Sequence, residues 1–213
     1  RGDYAPLAEI SEIVEKYNVH FSEGVILIVD DSHGVGCFGP TGRGTEEYTG
    51  ADGVDILIGT LGKAFGVNGG YAVSSRTVTT FLRENAPLYI YSNPISAADA
   101  AEAHQALEII DSPEGKSILQ HLHEITKRFE TGLKELGYEI IESDHPIVPL
   151  LVRDTRKTRE MVNFLLENGI LATGLNFPVV PRGDEEIRFQ VNADHTAGDI
   201  DAVLKVLKEW RDN

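Results

Sequence analysis

The run Val25-Ile26-Leu27-Ile28-Val29 constrains this chain more than any other feature. It is unbroken, apolar, rich in β-branched residues and of strand length. A run without polar alternation predicts a strand covered on both faces, as in a parallel sheet flanked by helices. The neighbouring sequence agrees. Leu7, Ile10, Ile13, Val14 and Tyr17 recur at helical spacing after Pro6, which predicts an amphipathic helix. Asp30 to Gly44 is too rich in Gly and polar residues for a regular element. The expected class is therefore α/β.

Further elements follow the same signals. Short strands are expected at Ile56–Ile58 and Gly70–Ser74, with a loop over Gly59–Gly69 between them. A helix is expected over residues 76–85, stopped by Pro87, then a brief strand at Leu88–Tyr91. An Ala-rich helix runs from Ile95 to Ile110. Ser112-Pro113 is the sharpest boundary, with Ser as cap and Pro as first helical residue. A long amphipathic helix then reaches Leu136 and stops at Gly137, a typical residue after a helix end. Strands at Tyr138–Ile141 and Val148–Val152 precede a helix over Thr155–Asn168, closed by Gly169. Ile170–Thr173 and Ile187–Val191 read as strands, and Ile200, Val203, Leu204, Leu207 and Trp210 as one face of a last helix. The second half thus reads as a small α/β domain, and the first as part of a larger parallel sheet.

Composition excludes several classes. With 34 acidic against 19 basic residues the net charge is −15, so the surface repels phosphate backbones and nucleic-acid binding is disfavoured. The longest uncharged apolar run is far shorter than a membrane span. The single cysteine, Cys37, cannot form an internal disulfide, which fits a reducing compartment and makes the cytoplasm the expected location.

Four groups of residues could carry chemistry. Asp30-Asp31-Ser32-His33 follows the apolar strand directly, where ligands of open α/β sheets bind. The plain alternatives are a turn or a weak metal site from Asp30 and His33 without a second His or Cys at ligand spacing. Gly34-Val35-Gly36-Cys37-Phe38-Gly39 matches a dinucleotide fingerprint literally. Pro40-Thr41-Gly42 follows where a helix should open, so the match is accidental. Gly59-Thr60-Leu61-Gly62-Lys63-Ala64 fails as a phosphate loop, because Leu57 stands where Gly is needed and Ala64 where Ser or Thr should bind magnesium. What remains is Lys63 among Leu61, Ala64, Phe65 and Val67. An apolar setting disfavours the ammonium form and makes the amine a nucleophile, as a Schiff-base lysine requires. The fourth is Arg188, alternating with Ile187 and Phe189. It could grip a carboxylate with two bonds; on spacing alone a surface salt bridge explains it as well.

In order and separation these residues resemble one family, the α-oxoamine synthases, pyridoxal-phosphate (PLP) enzymes of aminotransferase fold type I. The resemblance runs over essentially the whole chain. Its segments are Gly2-Asp3 with Ala5-Pro6-Leu7, Val29-Asp30-Asp31-Ser32-His33-Gly34, and Gly39 with Gly42-Arg43-Gly44. It continues through Gly59-Thr60-Leu61-Gly62-Lys63, Gly69-Gly70, Tyr91-Ser92-Asn93, Ile187-Arg188 and Ala193-Asp194-His195-Thr196. It implies part of a mostly parallel PLP-binding large domain over residues 1–94, a connecting helix over 95–112 and a small α/β domain over 113–213.

The resemblance also implies roles. Asp30 would bond the pyridine nitrogen, with Asp31 and Ser32 among the cofactor-binding residues. His33 would bond the ring hydroxyl and Thr60 contact the phosphate. Lys63 would form the Schiff base and then remove the substrate α-proton. Arg188 would hold the amino-acid carboxylate. Ser92 and Asn93 would reach the phosphate of a neighbouring subunit, which implies a homodimer with shared sites. Asn176-Phe177-Pro178-Val179-Val180-Pro181 is most similar to the members that join glycine to acetyl-CoA. The alternatives are a longer acyl-CoA with alanine or serine, an aminotransferase, or a non-catalytic truncated subunit. Pro94 after Asn93 departs from the family pattern, where a small polar residue is usual. The segment beginning near Pro6 lies midway along family chains, so the sequence reads as the C-terminal half of a longer protein. The ring-stacking aromatic residue, most of the phosphate cup and much of the CoA surface would lie outside it. Alone it is expected to bind PLP weakly and to turn over nothing.

Overall fold

The computed structural model describes residues 1–212. The polypeptide divides into two compact units, Tyr4–Ser117 and, in the other, Arg1–Asp3 with Ile118–Asn213.

In the first unit the order is α1 (Leu7–Asn18), β1 (Ile28–Asp30), α2 (Thr45–Thr49), β2 (Ile56–Thr60), β3 (Gly70–Ser74), α3 (Arg76–Asn85), α4 (Pro87–Ile90) and α5 (Ala97–Ile110). β1 pairs parallel with β2, and β2 antiparallel with β3. Side-chain caps start α3 and α5. The Ser75 hydroxyl accepts from the Val78 amide to open α3. Ser96 and Asp99 form a reciprocal capping box on α5, which satisfies two amides that the helix itself cannot pair. Leu61, Phe65, Val67 and Ala103 form the small core between the β2–β3 loop and α5.

Three expectations need correction here. Only Ile28 and Val29 of the apolar run are strand, with Asp30 ending β1. Residues 25 and 27 bond instead to side chains, with the Val25 amide donating to Asn18 Oδ1 and the Leu27 amide to Asp55 Oδ2. Nor is the run buried on both faces: Ile26 and Ile28 are exposed, so among the described residues no layer covers that face of the strand. The strand expected at Leu88–Tyr91 is a helical turn, since Pro87 takes the first helical position and the Tyr91 amide donates back to its carbonyl.

The helix α6 (Pro113–Glu135) begins at the expected boundary, with the Ser112 hydroxyl accepting from the Gly115 amide at 3.2 Å. The second unit continues with β4 (Ile147–Leu151), α7 (Thr155–Glu167), β5 (Thr173–Leu175), β6 (Glu186–Gln190) and α8 (Ala197–Asp212). Its sheet has the order β4-β6-β5 and is antiparallel throughout. Val148, Leu150, Ile187 and Phe189 alternate onto one face and pack with Phe129, Leu133 and Leu165 of the helices. Phe129 meets Phe189 edge-on, with centroids 5.1 Å apart. Tyr138 donates its hydroxyl to the Leu207 carbonyl at 2.7 Å. The strand expected at Tyr138–Ile141 reduces to one bridge, Ile140 with Leu150. The strand expected at Ile170–Thr173 starts only at Thr173, because the Ile170 amide still closes the end of α7 on Leu165.

Candidate active site

The first unit gathers most of the expected residues where β1 and β2 end. Asp30 is the last residue of β1 and pairs in register with Ile58. It is exposed, and its carboxylate accepts from the Ser32 amide at 3.0 Å. Hydrogen bonds from the Ser32 side chain and backbone hold its pKa below the usual carboxylate value. The charges of Lys63 and His33 act in the same direction, so both lie within electrostatic reach of Asp30. Ser32 is thus hydrogen-bonded to Asp30, and His33 and Lys63 lie near enough for their charges to act on it.

Lys63 sits in the β2–β3 loop. Its carbonyl accepts from Gly66 at 3.1 Å, and the loop closes through Leu61 to Gly69 at 3.0 Å and Val67 to Leu61 at 2.8 Å. Its side chain is exposed. This corrects the expectation of an apolar enclosure. Leu61, Phe65 and Val67 turn inward onto Ala103 and leave Lys63 on the outside of the loop. Thr60 ends β2, and its hydroxyl is engaged locally, donating to the Gly69 carbonyl at 3.3 Å and accepting from the Gly62 amide at 3.1 Å.

The other expected residues lie apart from this group. Asp31 is buried, and its carboxylate turns to Thr45. Ser92 and Asn93 are exposed beyond α4, with the Ser92 hydroxyl donating to the Leu88 carbonyl. A cleft of about 1180 Å³ over Leu57, Tyr71, Val73 and α5 includes none of Asp30, His33, Thr60 or Lys63 in its walls. Leu57 and Val73 are cross-strand partners facing the cleft, and alternation puts Asp30 and Ile58 on the opposite face of the sheet.

Arg188 belongs to the second unit. It stands on β6 between Pro149 of β4 and Thr173 of β5. It is half-buried, and its Nε is buried without a hydrogen-bond partner among the described residues. A buried guanidinium donor left open is costly unless a ligand supplies the acceptor. Sequence reasoning missed its neighbour Glu186, fully buried two positions earlier on the same face and bound by Arg1 Nη2 at 2.7 Å. The alternation that sets Arg188 opposite Ile187 and Phe189 also puts Glu186 on the face of Arg188, which is the signal that could have found it.

Cys37 lies in the glycine-rich loop after β1. Burial pushes its thiol up to about 11, and the Asp31 carboxylate adds to the effect. A raised thiol pKa keeps the proton on sulfur, so reactivity toward alkylating agents is suppressed until the pH approaches that value. At pH 8 the folded chain is expected to react with iodoacetamide about a hundredfold more slowly than the chain in denaturant. Stopped alkylation followed by mass spectrometry checks this, and equal rates would contradict it.

A family model described as aminotransferase class I and II matches residues 1–207. The 8-amino-7-oxononanoate synthase of Thermosipho melanesiensis is 38% identical over 205 residues, 96% of this chain and 50% of that protein. The mitochondrial 2-amino-3-ketobutyrate coenzyme A ligase of Mus musculus is 36% identical over 210 residues, 98% of this chain and 49% of that protein. Among solved structures, the serine palmitoyltransferase of Sphingomonas wittichii superposes with a TM-score of 0.89 at 27% identity, covering 98% of this chain and 51% of that one. A further serine palmitoyltransferase structure, described as containing PLP, gives the same TM-score at 28% identity. The chain spans about half the length of the relatives it matches. Its motifs, the family model and these relatives together make it a member of the aminotransferase class I and II family, in the α-oxoamine synthase branch, with PLP as the family's cofactor.

Proposed function

We propose that this chain carries the lysine, the ring-facing carboxylate and the carboxylate-gripping arginine of an acyltransferase that joins glycine to acetyl-CoA, as in glycine C-acetyltransferase. The observation that carries this reading is the grouping of an ionised Asp30 with His33 and Lys63 at the strand ends. The donor set suits PLP. A carboxylate held ionised can keep a pyridine nitrogen protonated, and an exposed lysine amine is open to an aldehyde. When bound, PLP supplies an electron sink for a carbanion at the amino-acid α-carbon.

The chain's own residues would do the rest. Asp30 would meet the ring nitrogen, and His33 the ring hydroxyl. Thr60 would turn its hydroxyl to the phosphate, and Ser32 would orient Asp30. Lys63 would hold the cofactor and take the α-proton of the amino acid. Arg188 offers its open Nε to the substrate carboxylate, which fixes the α-carbon in place. Ser92 and Asn93, exposed beyond α4, would serve the phosphate of a second subunit in a homodimer. The segment Asn176–Pro181 and the mouse relative support glycine and acetyl-CoA as substrates. The 38% identity to the Thermosipho protein favours a second reading, a longer acyl-CoA with alanine or serine. No helix among the described residues is long and apolar enough to cross a membrane, and we propose a cytoplasmic location.

A substrate panel tests the proposal. The intact gene product with PLP is offered glycine, alanine or serine against acyl-CoAs of increasing chain length, and CoA release and product mass are recorded. Glycine with acetyl-CoA is expected to exceed every other pair by about tenfold or more in kcat/KM. Preference for a long acyl-CoA would replace this reading with the second. Amino transfer to a keto acid without any CoA would refute both.

A further inference from the structure

Adjacent acids at the end of β1 have opposite fates. Asp30 is exposed toward His33 and Lys63, whereas Asp31 is 4% exposed. Successive residues of an extended segment point to opposite sides, so one carboxylate faces the chemistry and the other the protein. An ionised carboxylate only accepts hydrogen bonds, and both Asp31 oxygens are engaged by one residue. Oδ2 accepts from the Thr45 amide at 2.8 Å, and Oδ1 from the Thr45 hydroxyl at 2.5 Å.

The backbone of Asp31 is equally committed. Its amide donates to the Ile58 carbonyl at 2.8 Å, extending the β1–β2 ladder by one residue. Its carbonyl accepts from Gly34 at 3.0 Å and Val35 at 3.1 Å, which turns the chain just after His33. The loop is shaped around this carboxylate. A Cβ at Gly34 or at Gly44 would collide with Asp31 oxygens, and Gly44 also has a φ of +94°. Both glycines leave the space that the side chain fills. Asp31 thus joins β2, the turn bearing His33 and the start of α2 in one knot.

We infer that Asp31 is a positioning residue that locks the turn carrying Asp30 and His33 by clamping Thr45, and that it makes no contact with the cofactor. This rests on the proposed cofactor role of Asp30 and His33. It replaces the expectation that Asp31 binds the cofactor itself.

Four variants test it: Asp31→Asn, Thr45→Val, Thr45→Ser and the double variant Asp31→Asn with Thr45→Val. The readouts are amide hydrogen exchange at Gly34 and Val35, the NMR titration of the His33 imidazole, and PLP affinity by absorbance. Asp31→Asn and Thr45→Val are each expected to speed exchange and weaken PLP about tenfold, corresponding to one charge-assisted hydrogen bond. In Thr45→Val, which leaves the Asp31 charge in place, the His33 midpoint is expected to fall, because a loosened turn moves the imidazole away from the Asp30 charge; Asp31→Asn removes a charge beside His33 and is read by exchange and PLP affinity alone. A purely structural role would leave that midpoint unchanged in the molecules that remain folded. The double variant is expected to be no worse than Asp31→Asn alone, since Thr45→Val removes only the hydroxyl half of a link that Asp31→Asn already weakens at both oxygens. Thr45→Ser keeps the hydroxyl and is expected to match the parent. PLP weakened by Asp31→Asn with exchange at Gly34 and Val35 unchanged would overturn the inference and make Asp31 a direct ligand. Unchanged exchange in both single variants would overturn the clamp itself. The parent is the intact gene product; if it shows no PLP binding at any concentration, the cofactor reading fails, and the exchange and His33 data decide the clamp independently.

Discussion

Replacing Lys63 with Ala is expected to lower PLP-dependent exchange of the glycine α-hydrogen by a factor of about 10² to 10⁴ or more, the range for losing a positioned general base. The measurement is NMR of glycine in deuterated solvent with the intact gene product. Lys63 is exposed in a loop, so its removal leaves no cavity. Folding stability is expected to stay within about 0.5 kcal/mol of the parent. A kinetic collapse without a stability change separates chemistry from architecture. Lys63→Arg is expected to fail equally, because a guanidinium retains its proton at any working pH and can act neither as base nor as nucleophile. Exchange that survives Lys63→Ala would remove the lysine from its proposed role.

The second large effect belongs to the core of the second unit. Phe129→Ala is expected to destabilise that unit by about 3–5 kcal/mol. Phe129 is 2% exposed and packs edge-on against Phe189. Its removal forfeits both the burial and the ring contact, and it leaves a hole among Leu133, Leu165 and Ile187 that rigid neighbours cannot close. Against a typical total of about 5–15 kcal/mol this is a large fraction. Urea unfolding followed through Trp210 is expected to show a lower midpoint at an unchanged slope. Leu171→Ala is the control, at 91% exposed, and is expected to change stability by less than about 0.5 kcal/mol.

Much of this architecture was legible in the sequence where local chemistry decides structure. Ser112-Pro113 and Gly137 carry their instructions within a few residues, and α6 starts at the first and ends just before the second. Strand residues were harder, because pairing depends on distant partners. The run Val25–Val29 has all the intrinsic marks of a central strand, yet only its end finds a ladder. Leu88–Tyr91 is equally β-prone, and Pro87 overrode that preference.

The site divides in the same way. Asp30 and Lys63 were placed by motif and separation, and the fold groups them with His33. The inward turn of Asp31 was not legible, because its partner Thr45 lies 14 residues away and has no motif of its own. The enclosure expected around Lys63 failed for a related reason. Apolar neighbours in sequence become neighbours in space only if their side chains turn the same way, and Leu61, Phe65 and Val67 turn toward α5.

The central claim is that Lys63 is the residue that holds PLP. The direct measurement is to incubate the intact protein with PLP, reduce it with borohydride and map the modified peptide by mass. The chain has eight lysines, so the result discriminates sharply. The added mass is expected on the peptide containing Lys63, ahead of every other lysine and at sub-stoichiometric PLP. Label spread evenly over surface lysines such as Lys16, Lys157 and Lys205, or concentrated on one of them, would contradict it.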